Sequence, residues 1–177
     1  MKVIAGTGRC GTRWIASILR VGGITVGHEY AHTPDMVRDM PGLQVDVSWL
    51  ALTHQIVPDV LVGREPAGCI GSLIDCGLFV DGDRYTAAVG RCLELTGDPY
   101  VDACRWWVWA NTRPAKARWR LDRPDLLAQT LSSVGIFVDN LTLLPSDRHP
   151  IGTRVTTIAT SELPDDVCDV AKDWGWM

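Results

Sequence analysis

Apolar and polar positions along the chain predict strands and helices in alternation. A short apolar run at 2–5 ends in glycine-rich sequence, and from Thr12 the apolar residues recur at helical spacing until Gly22. A second buried strand at 60–64 precedes a helix in the same way. Repeated strand-loop-helix units predict an α/β fold, a three-layer parallel sheet with helices on both faces.

The remaining segments fit this scheme. Brief strands are predicted at 24–26, 43–49 and 119–121, and helices at 66–76, around 88–95, from Asp98 with Pro99 at its first position, at 127–134 and from about Pro164. Ligands of parallel α/β sheets bind at the carboxyl ends of the strands. The residues expected along that edge are Gly6, His28, Glu29 and Arg64.

Composition narrows the class of protein. A length of 177 residues fits one domain, 1–177, and 46% hydrophobic with 21% charged residues is a globular balance. The formal charge of -4 argues against a nucleic-acid binder that relies on phosphate neutralisation. The start of the chain lacks the apolar core of a signal peptide and no run is long enough to span a membrane, so we expect a cytoplasmic protein.

Cysteine and histidine spacing predicts no metal site. None of the six cysteines forms a C-x-x-C pair, and the histidines do not stand near them at zinc-like spacing. Reduced structural thiols are therefore expected. His28 and His32 stand four residues apart, a pair more often incidental than metal-binding.

The glycine loop, Gly6–Thr12, carries the most specific chemistry. Its sequence is Gly-Thr-Gly-Arg-Cys-Gly-Thr, set between the first strand and the first helix. Backbone N–H groups at a helix start and the positive end of the helix dipole stabilise anions, and the Arg9 guanidinium with the Thr7 and Thr12 hydroxyls adds charge and donors. The alternative is a strand-helix turn with glycine for geometry alone. We expect a phosphate site.

The glycine loop departs from the nucleotide-hydrolase pattern G-x-x-x-x-G-K-[ST]. Gly6 and Gly11 are correctly spaced, but Thr12 occupies the lysine position. That lysine binds the β and γ phosphates together with magnesium, so its absence disfavours triphosphate chemistry.

The segment G-T-G-R-C-G-T-R-W resembles the 5′-phosphosulfate loop of sulfotransferases that use 3′-phosphoadenosine 5′-phosphosulfate (PAPS). Val62-Gly-Arg-Glu-Pro-Ala-Gly-Cys-Ile-Gly-Ser72 is similar to their 3′-phosphate segment, with Arg64 and Ser72 eight residues apart. The alternatives are a strand-end salt bridge for Arg64 and a surface hydroxyl for Ser72. The resemblance implies a P-loop nucleotide-binding fold and sulfuryl transfer to a hydroxyl or amine, with bisphosphoadenosine (PAP) as product and no metal.

The resemblance also implies roles for single residues. The donor-binding residues would be Thr7, Gly8, Arg9, Cys10, Gly11, Thr12, Arg13, Arg64 and Ser72. Arg9 stands where many members carry a lysine, and since a guanidinium does not readily give up a proton, we expect it to stabilise charge. Glu29 is the first choice for the base and His28 the second, although either could be a loop-end polar residue. Arg148, His149 and Arg154 could close over the nucleotide.

Two other functions remain open. A phosphotransferase with an unusual P-loop would use ATP and a metal, with Asp46 on the third strand as magnesium ligand. A catalytically silent nucleotide-binding or partner-binding domain is the other, because the chain is shorter than most sulfotransferases. The acceptor, a small molecule, glycan or peptide, is not identified by sequence, and we expect neither a nucleic-acid nor a membrane partner.

Overall fold

The computed structural model describes residues 1–29, 41–79, 84–139, 141 and 156–177. They fall into two units. The first comprises Met1–Gly63 and Arg113–Arg148, and the second comprises Arg64–Thr112 and His149–Met177. The single domain expected over 1–177 stays a prediction.

One parallel five-stranded sheet forms the centre of the first unit. Its strands are β1 (Lys2–Gly6), β2 (Val26–His28), β3 (Val45–Val47), β4 (Val60–Gly63) and β5 (Ala117–Arg120), in the order β2-β3-β1-β4-β5. The strands are rich in buried valine, as expected when a parallel sheet is enclosed. The predicted α/β class with a parallel sheet is confirmed.

The described helices belong to both units. The first unit contains α1 (Thr12–Val21), α2 (Leu50–Thr53) and α6 (Leu127–Ser133), and the second contains α3 (Pro66–Asp75), α4 (Arg84–Gly90), α5 (Pro99–Asn111) and α7 (Asp165–Asp173). Short 3-10 turns occur at Pro124–Leu126 and Thr160–Glu162. The helix starts predicted at Pro66 and Pro99 are confirmed, since these prolines occupy the first helical position of α3 and α5.

The apolar face of α1 packs on the sheet. Ile15, Ile18 and Leu19 are fully buried in one cluster with strand residues and with α6. Trp14 extends this contact, since its ring stacks on Trp119 of β5 with centroids 6.4 Å apart. This packing holds the start of α1 at a fixed place above the end of β1.

Tryptophans fill the core of the second unit. Trp106 and Trp107 of α5 are both fully buried, whereas Trp109 on the same helix is partly exposed. The Trp174 indole donates to the carbonyl of Asn111 at 3.2 Å, joining the end of α5 to the end of α7. The three tryptophans of α5 therefore do not share one face, as their spacing predicts, and two of them are core residues.

Four sequence predictions of element position were wrong. The strand expected at 119–121 is β5, which begins two residues earlier, at Ala117, and ends at Arg120. The strand expected at 24–26 is β2, two residues later, because the Ile24 amide still closes the turn after α1 by donating to Leu19. The strand expected at 43–49 is shortened to Val45–Val47 because Trp49 is the N-cap of α2, a helix not foreseen. The helix around 88–95 ends at Gly90, where a tight turn follows.

Candidate anion-binding site

The glycine loop leaves the carboxyl end of the central strand. β1 lies between β3 and β4, with Gly6 opposite Val62, and the chain continues from β1 to one edge of the sheet and from β4 to the other. In open α/β sheets, such a switch point is where ligands bind. The loop is therefore at the position in the first unit that the fold class favours for a ligand.

Left-handed backbone shapes the glycine loop. The φ angles are 78° at Gly8, 54° at Arg9 and 82° at Gly11. Arg9 adopts this conformation without being glycine, which costs about 1–2 kcal/mol. Turns that contain left-handed residues direct successive N–H groups toward one side and form concave anion sites.

Packing fixes the loop from beneath and from both sides. A Cβ on Gly6 would clash with the Cys10 thiol and would lie 2.6 Å from the Val62 carbonyl oxygen. A Cβ on Gly11 would lie 2.9 Å from Leu121, beyond the end of β5. Since Cys10 is fully buried, its place in the structure is a packing role beneath the loop.

Trp49 covers Gly8 from the direction of β3. Ring atoms of this indole would lie 3.5 to 3.8 Å from a Cβ on Gly8, and Trp49 itself is buried. Sequence analysis did not identify Trp49 or Leu121 as part of the site. The only sequence signal for either was that each follows the end of a strand.

The N-terminus of α1 is electropositive. Its N-cap is Gly11, which supplies no side-chain acceptor, and no acidic residue stands in its first turn. By contrast, the Asp98 carboxylate caps α5 and accepts from two backbone amides. Arg9 and the exposed Arg13 add charge at the start of α1.

The two threonines of the glycine loop differ in role. The fully buried Thr7 hydroxyl donates to the Gly8 carbonyl at 2.8 Å and so holds the loop itself. Thr12 is the first residue of α1, and its hydroxyl lies 3.4 Å from Nε2 of His28. Of the two, Thr12 is connected to a group that can exchange a proton.

β2 brings His28 and Glu29 to the same edge of the sheet. His28 pairs with Val47 in the sheet register, and the Glu29 amide donates to the Val47 carbonyl at 3.1 Å. The His28 Nε2 atom lies 3.9 Å from Oε1 of Glu29, and both side chains are about one quarter exposed. Of the four residues expected along the carboxyl edge, Gly6 and His28 end β1 and β2 and Glu29 follows β2, whereas Arg64 follows β4 and belongs to the second unit.

Burial lowers the pKa of His28 below its usual value of 6.5. The charges of Glu29 and Asp46 act in the opposite direction, while those of Arg13 and Arg20 lower the pKa further. His28 is therefore neutral at neutral pH, with a ring nitrogen able to accept a proton.

Arg64 and Ser72 belong to the second unit. Arg64 immediately follows β4, its carbonyl accepts from the Trp107 indole at 3.2 Å, and its Nε lies 3.6 Å from Oε1 of Glu65. The strand-end ion pair weighed from sequence is thus present. Ser72 lies in the middle of α3 and is partly buried.

Ser48 is a buried polar residue that sequence analysis missed. It follows β3, its amide donates to the Ile4 carbonyl at 2.9 Å, and its side chain is fully buried. Within the described residues, its hydroxyl has no hydrogen-bond partner. The signal in the sequence was a serine directly after an apolar strand.

The remaining observations concern residues outside the described part of the chain, metal-binding groups and membrane-spanning helices. His32, Arg148, His149 and Arg154 lie outside them. In the described part of the chain, no three His, Cys, Asp or Glu side chains are grouped to hold a metal ion. None of the helices described there has both the length and the apolar character needed to cross a membrane.

Comparisons with protein-family models, with curated proteins and with solved structures found nothing that matches this chain.

Proposed function

We propose that the protein is a sulfotransferase that moves a sulfuryl group from PAPS to a hydroxyl or amine. The observation that carries the proposal is the glycine loop, whose left-handed residues lead into a helix N-terminus with arginine and without acid. Such a site suits the 5′-phosphosulfate end of the donor. Its P-loop character and the donor's identity rest on the resemblance of two motifs.

Sulfuryl transfer makes limited demands on the protein. The leaving group is a stable phosphate anion, so the protein has to position donor and acceptor, stabilise charge on the bridging oxygen and accept the acceptor's proton. Arg9 is assigned to the bridging oxygen because its guanidinium is permanently charged. Arg64 and Ser72 are assigned to the donor's 3′-phosphate on the motif alone.

His28 becomes the preferred base. Sequence alone favoured Glu29, but burial lowers the pKa of His28 and keeps it neutral, as a base must be. Its contact with Thr12 places it beside the start of α1. Glu29 then stabilises the protonated imidazole, from 3.9 Å away.

The phosphotransferase alternative gains less support. Asp46 is fully buried and pairs with Val3, three residues before Gly6 on β1. At a rise of about 3.3 Å per residue, it lies roughly 10 Å along the strand from the loop. A magnesium ligand is needed near the phosphates.

Thermal stabilisation separates the candidate functions. PAP without metal should raise the melting temperature, whereas ATP with magnesium should have little effect. Stabilisation by ATP-magnesium alone would overturn the sulfotransferase proposal. Stabilisation by PAP with no sulfuryl transfer to any of a panel of hydroxyl and amine acceptors favours the silent nucleotide-binding domain.

Single substitutions then test the assigned roles. Arg64→Ala should remove most of the stabilisation by PAP, while Arg91→Ala, an exposed arginine in the same unit, should leave it unchanged. His28→Asn should retain PAP binding and lose turnover by about 10²–10⁴-fold, the range for a general base. Full turnover in His28→Asn with loss in Glu29→Gln would return the base role to Glu29.

A further inference from the structure

A cavity of about 260 Å³ opens at the amino-terminal edge of the sheet in the first unit. Its walls come from the start of β1, the approaches to β2 and β3 and the turn after α6: Lys2, Ile24, Gln44, Gly135, Ile136 and Phe137. Because the strands are parallel, this edge is opposite the one that the glycine loop leaves. The cavity is therefore separate from the anion-binding site.

Lys2 gives the cavity a net positive charge. Its ammonium lies 3.5 Å from Oδ1 of Asp59, but the Lys116 ammonium lies 2.6 Å from the same oxygen. The other carboxylate oxygen accepts the Val3 amide at 2.9 Å. Two ammonium groups share one negative charge, and the more distant of them, Lys2, faces the cavity.

Gln44 adds a polar group of fixed orientation. Its Oε1 accepts from the Thr25 amide at 2.8 Å. That bond leaves the Nε2 group as the end of the amide suited to donate to a ligand. Lys2 and Gln44 together form an anchor for a single small anion.

The other walls are apolar. Ile136 is buried at 4% exposure, whereas Phe137 is 71% exposed at the rim, a large apolar side chain left in water. Contact with an apolar ligand would remove part of that surface from water, which is favourable. The cavity thus combines a cationic anchor with an apolar wall, the usual make-up of a small-molecule site.

We propose that this cavity binds a small carboxylate with an apolar body. At about 30 Å³ for each water of liquid volume, the space equals roughly nine waters, which suits a short aliphatic or aromatic acid. A monoanion matches one ammonium and one amide, whereas a phosphate group, with three acceptor oxygens and a charge of about -1.5 to -2, calls for more donors than these two. The carboxylate pairs with Lys2 and the body lies against Ile136 and Phe137.

Three probes separate charge from apolar contact. Hexanoate has both features, acetate has the charge without the body, and hexanol has the body without the charge. Hexanoate should shift the amide NMR signals of Ile24, Gln44 and Phe137 in a saturable way. Acetate and hexanol should each bind about tenfold more weakly, a difference of about 1.4 kcal/mol.

Two lysine variants provide a matched comparison. Lys2→Met and Lys116→Met each remove one cation from Asp59, but only Lys2 lines the cavity. Lys2→Met should weaken hexanoate about tenfold and Lys116→Met should not. Phe137→Ala, at a mostly exposed position that should not disturb folding, should weaken hexanoate while leaving acetate unchanged.

Four results would overturn the proposal. These are no saturable shift with hexanoate, equal affinity for hexanol, unchanged affinity in Lys2→Met, and shifts centred on the glycine loop. PAP at saturation should leave hexanoate affinity unchanged. The cavity does not depend on the proposed transferase activity, since the two sites lie at opposite edges of the sheet.

Discussion

The imidazole of His28 lies 3.4 Å from the hydroxyl of Thr12, at the first turn of α1. Thr12 occupies the position that carries lysine in nucleotide hydrolases. His28 is the last residue of β2, whereas Thr12 belongs to the segment that follows β1. At this one position a permanently charged lysine is thus replaced by a threonine in contact with a titratable ring, while Arg9 keeps a permanent charge elsewhere in the loop. The chemistry available at this helix start therefore depends on pH.

The first prediction concerns the pH dependence of stability. Because the folded protein lowers the pKa of His28, chiefly by burial, the unfolded chain binds more protons below the usual value of 6.5. The free energy of unfolding should fall as pH drops from that value through the folded pKa. His28→Gln should flatten this part of the profile, as followed by urea unfolding at stepped pH.

The control for this pH profile of stability is a glutamine substitution at Arg91, an exposed residue of the second unit. Arg91→Gln should leave the shape of the profile unchanged. An NMR titration giving His28 a pKa above that of a model histidine would contradict the prediction.

The second prediction separates strain from charge at Arg9. Its φ of 54° is costly for arginine and natural for glycine, so Arg9→Gly should raise the free energy of unfolding by about 1 kcal/mol. The same change removes a positive charge from the glycine loop, so the affinity for PAP should fall. Denaturant unfolding and calorimetric titration measure the two effects.

Arg9→Lys keeps the charge and the strain and serves as the comparison. It should leave stability within about 0.5 kcal/mol of the parent protein. Arg9→Gly with unchanged affinity for PAP would show that Arg9 does not face the anion.

The third prediction concerns Gly6. An added Cβ would meet the Cys10 thiol and the Val62 carbonyl, so Gly6→Ala should destabilise the protein by about 1–3 kcal/mol. Gly90→Ala is the matched change, because the nearest atom to its Cβ is at 3.7 Å, an ordinary contact. Chemical denaturation of both variants should show a large loss only for Gly6→Ala.

The fourth prediction concerns acid stability through Asp59. Burial alone would raise the pKa of this carboxyl, but hydrogen bonds from Lys116 and Val3 and the charges of Lys116 and Lys2 outweigh it and lower the pKa below the usual 3.8. The resulting stability is present above that value and is lost as pH falls through the folded pKa. Lys116→Met should move the onset of acid unfolding to higher pH, whereas exposed Lys172→Met should not.

Local signals made much of the fold readable in the sequence. Pro66 and Pro99 begin helices because proline fixes φ at a helical value, and Gly22 with Gly23 ends α1, where Gly23 adopts a left-handed φ of 84°; those ends were correct. The placement of Gly6, His28 and Glu29 at one edge of the sheet followed from one rule, that parallel strands end at a common edge.

The rest depended on contacts between segments distant in the sequence. Nothing near Leu121 indicates that it packs on Gly11, because that contact exists only once β5 has joined the sheet. Trp49 looked like the end of a strand because its apolar character suits either a strand or a helix start. The choice of His28 over Glu29 required burial, which the pattern of residues does not report.

The crowding around Gly6 has a consequence for how relatives of this chain should be recognised. The Cys10 thiol and the Val62 carbonyl leave no room for a Cβ at this position. A related protein would therefore retain the glycine even if it no longer bound a ligand. A glycine at this position in another protein would therefore indicate common descent of the packing and not a common ligand. Retention of Arg9, which the backbone disfavours, would instead record selection for what the loop holds.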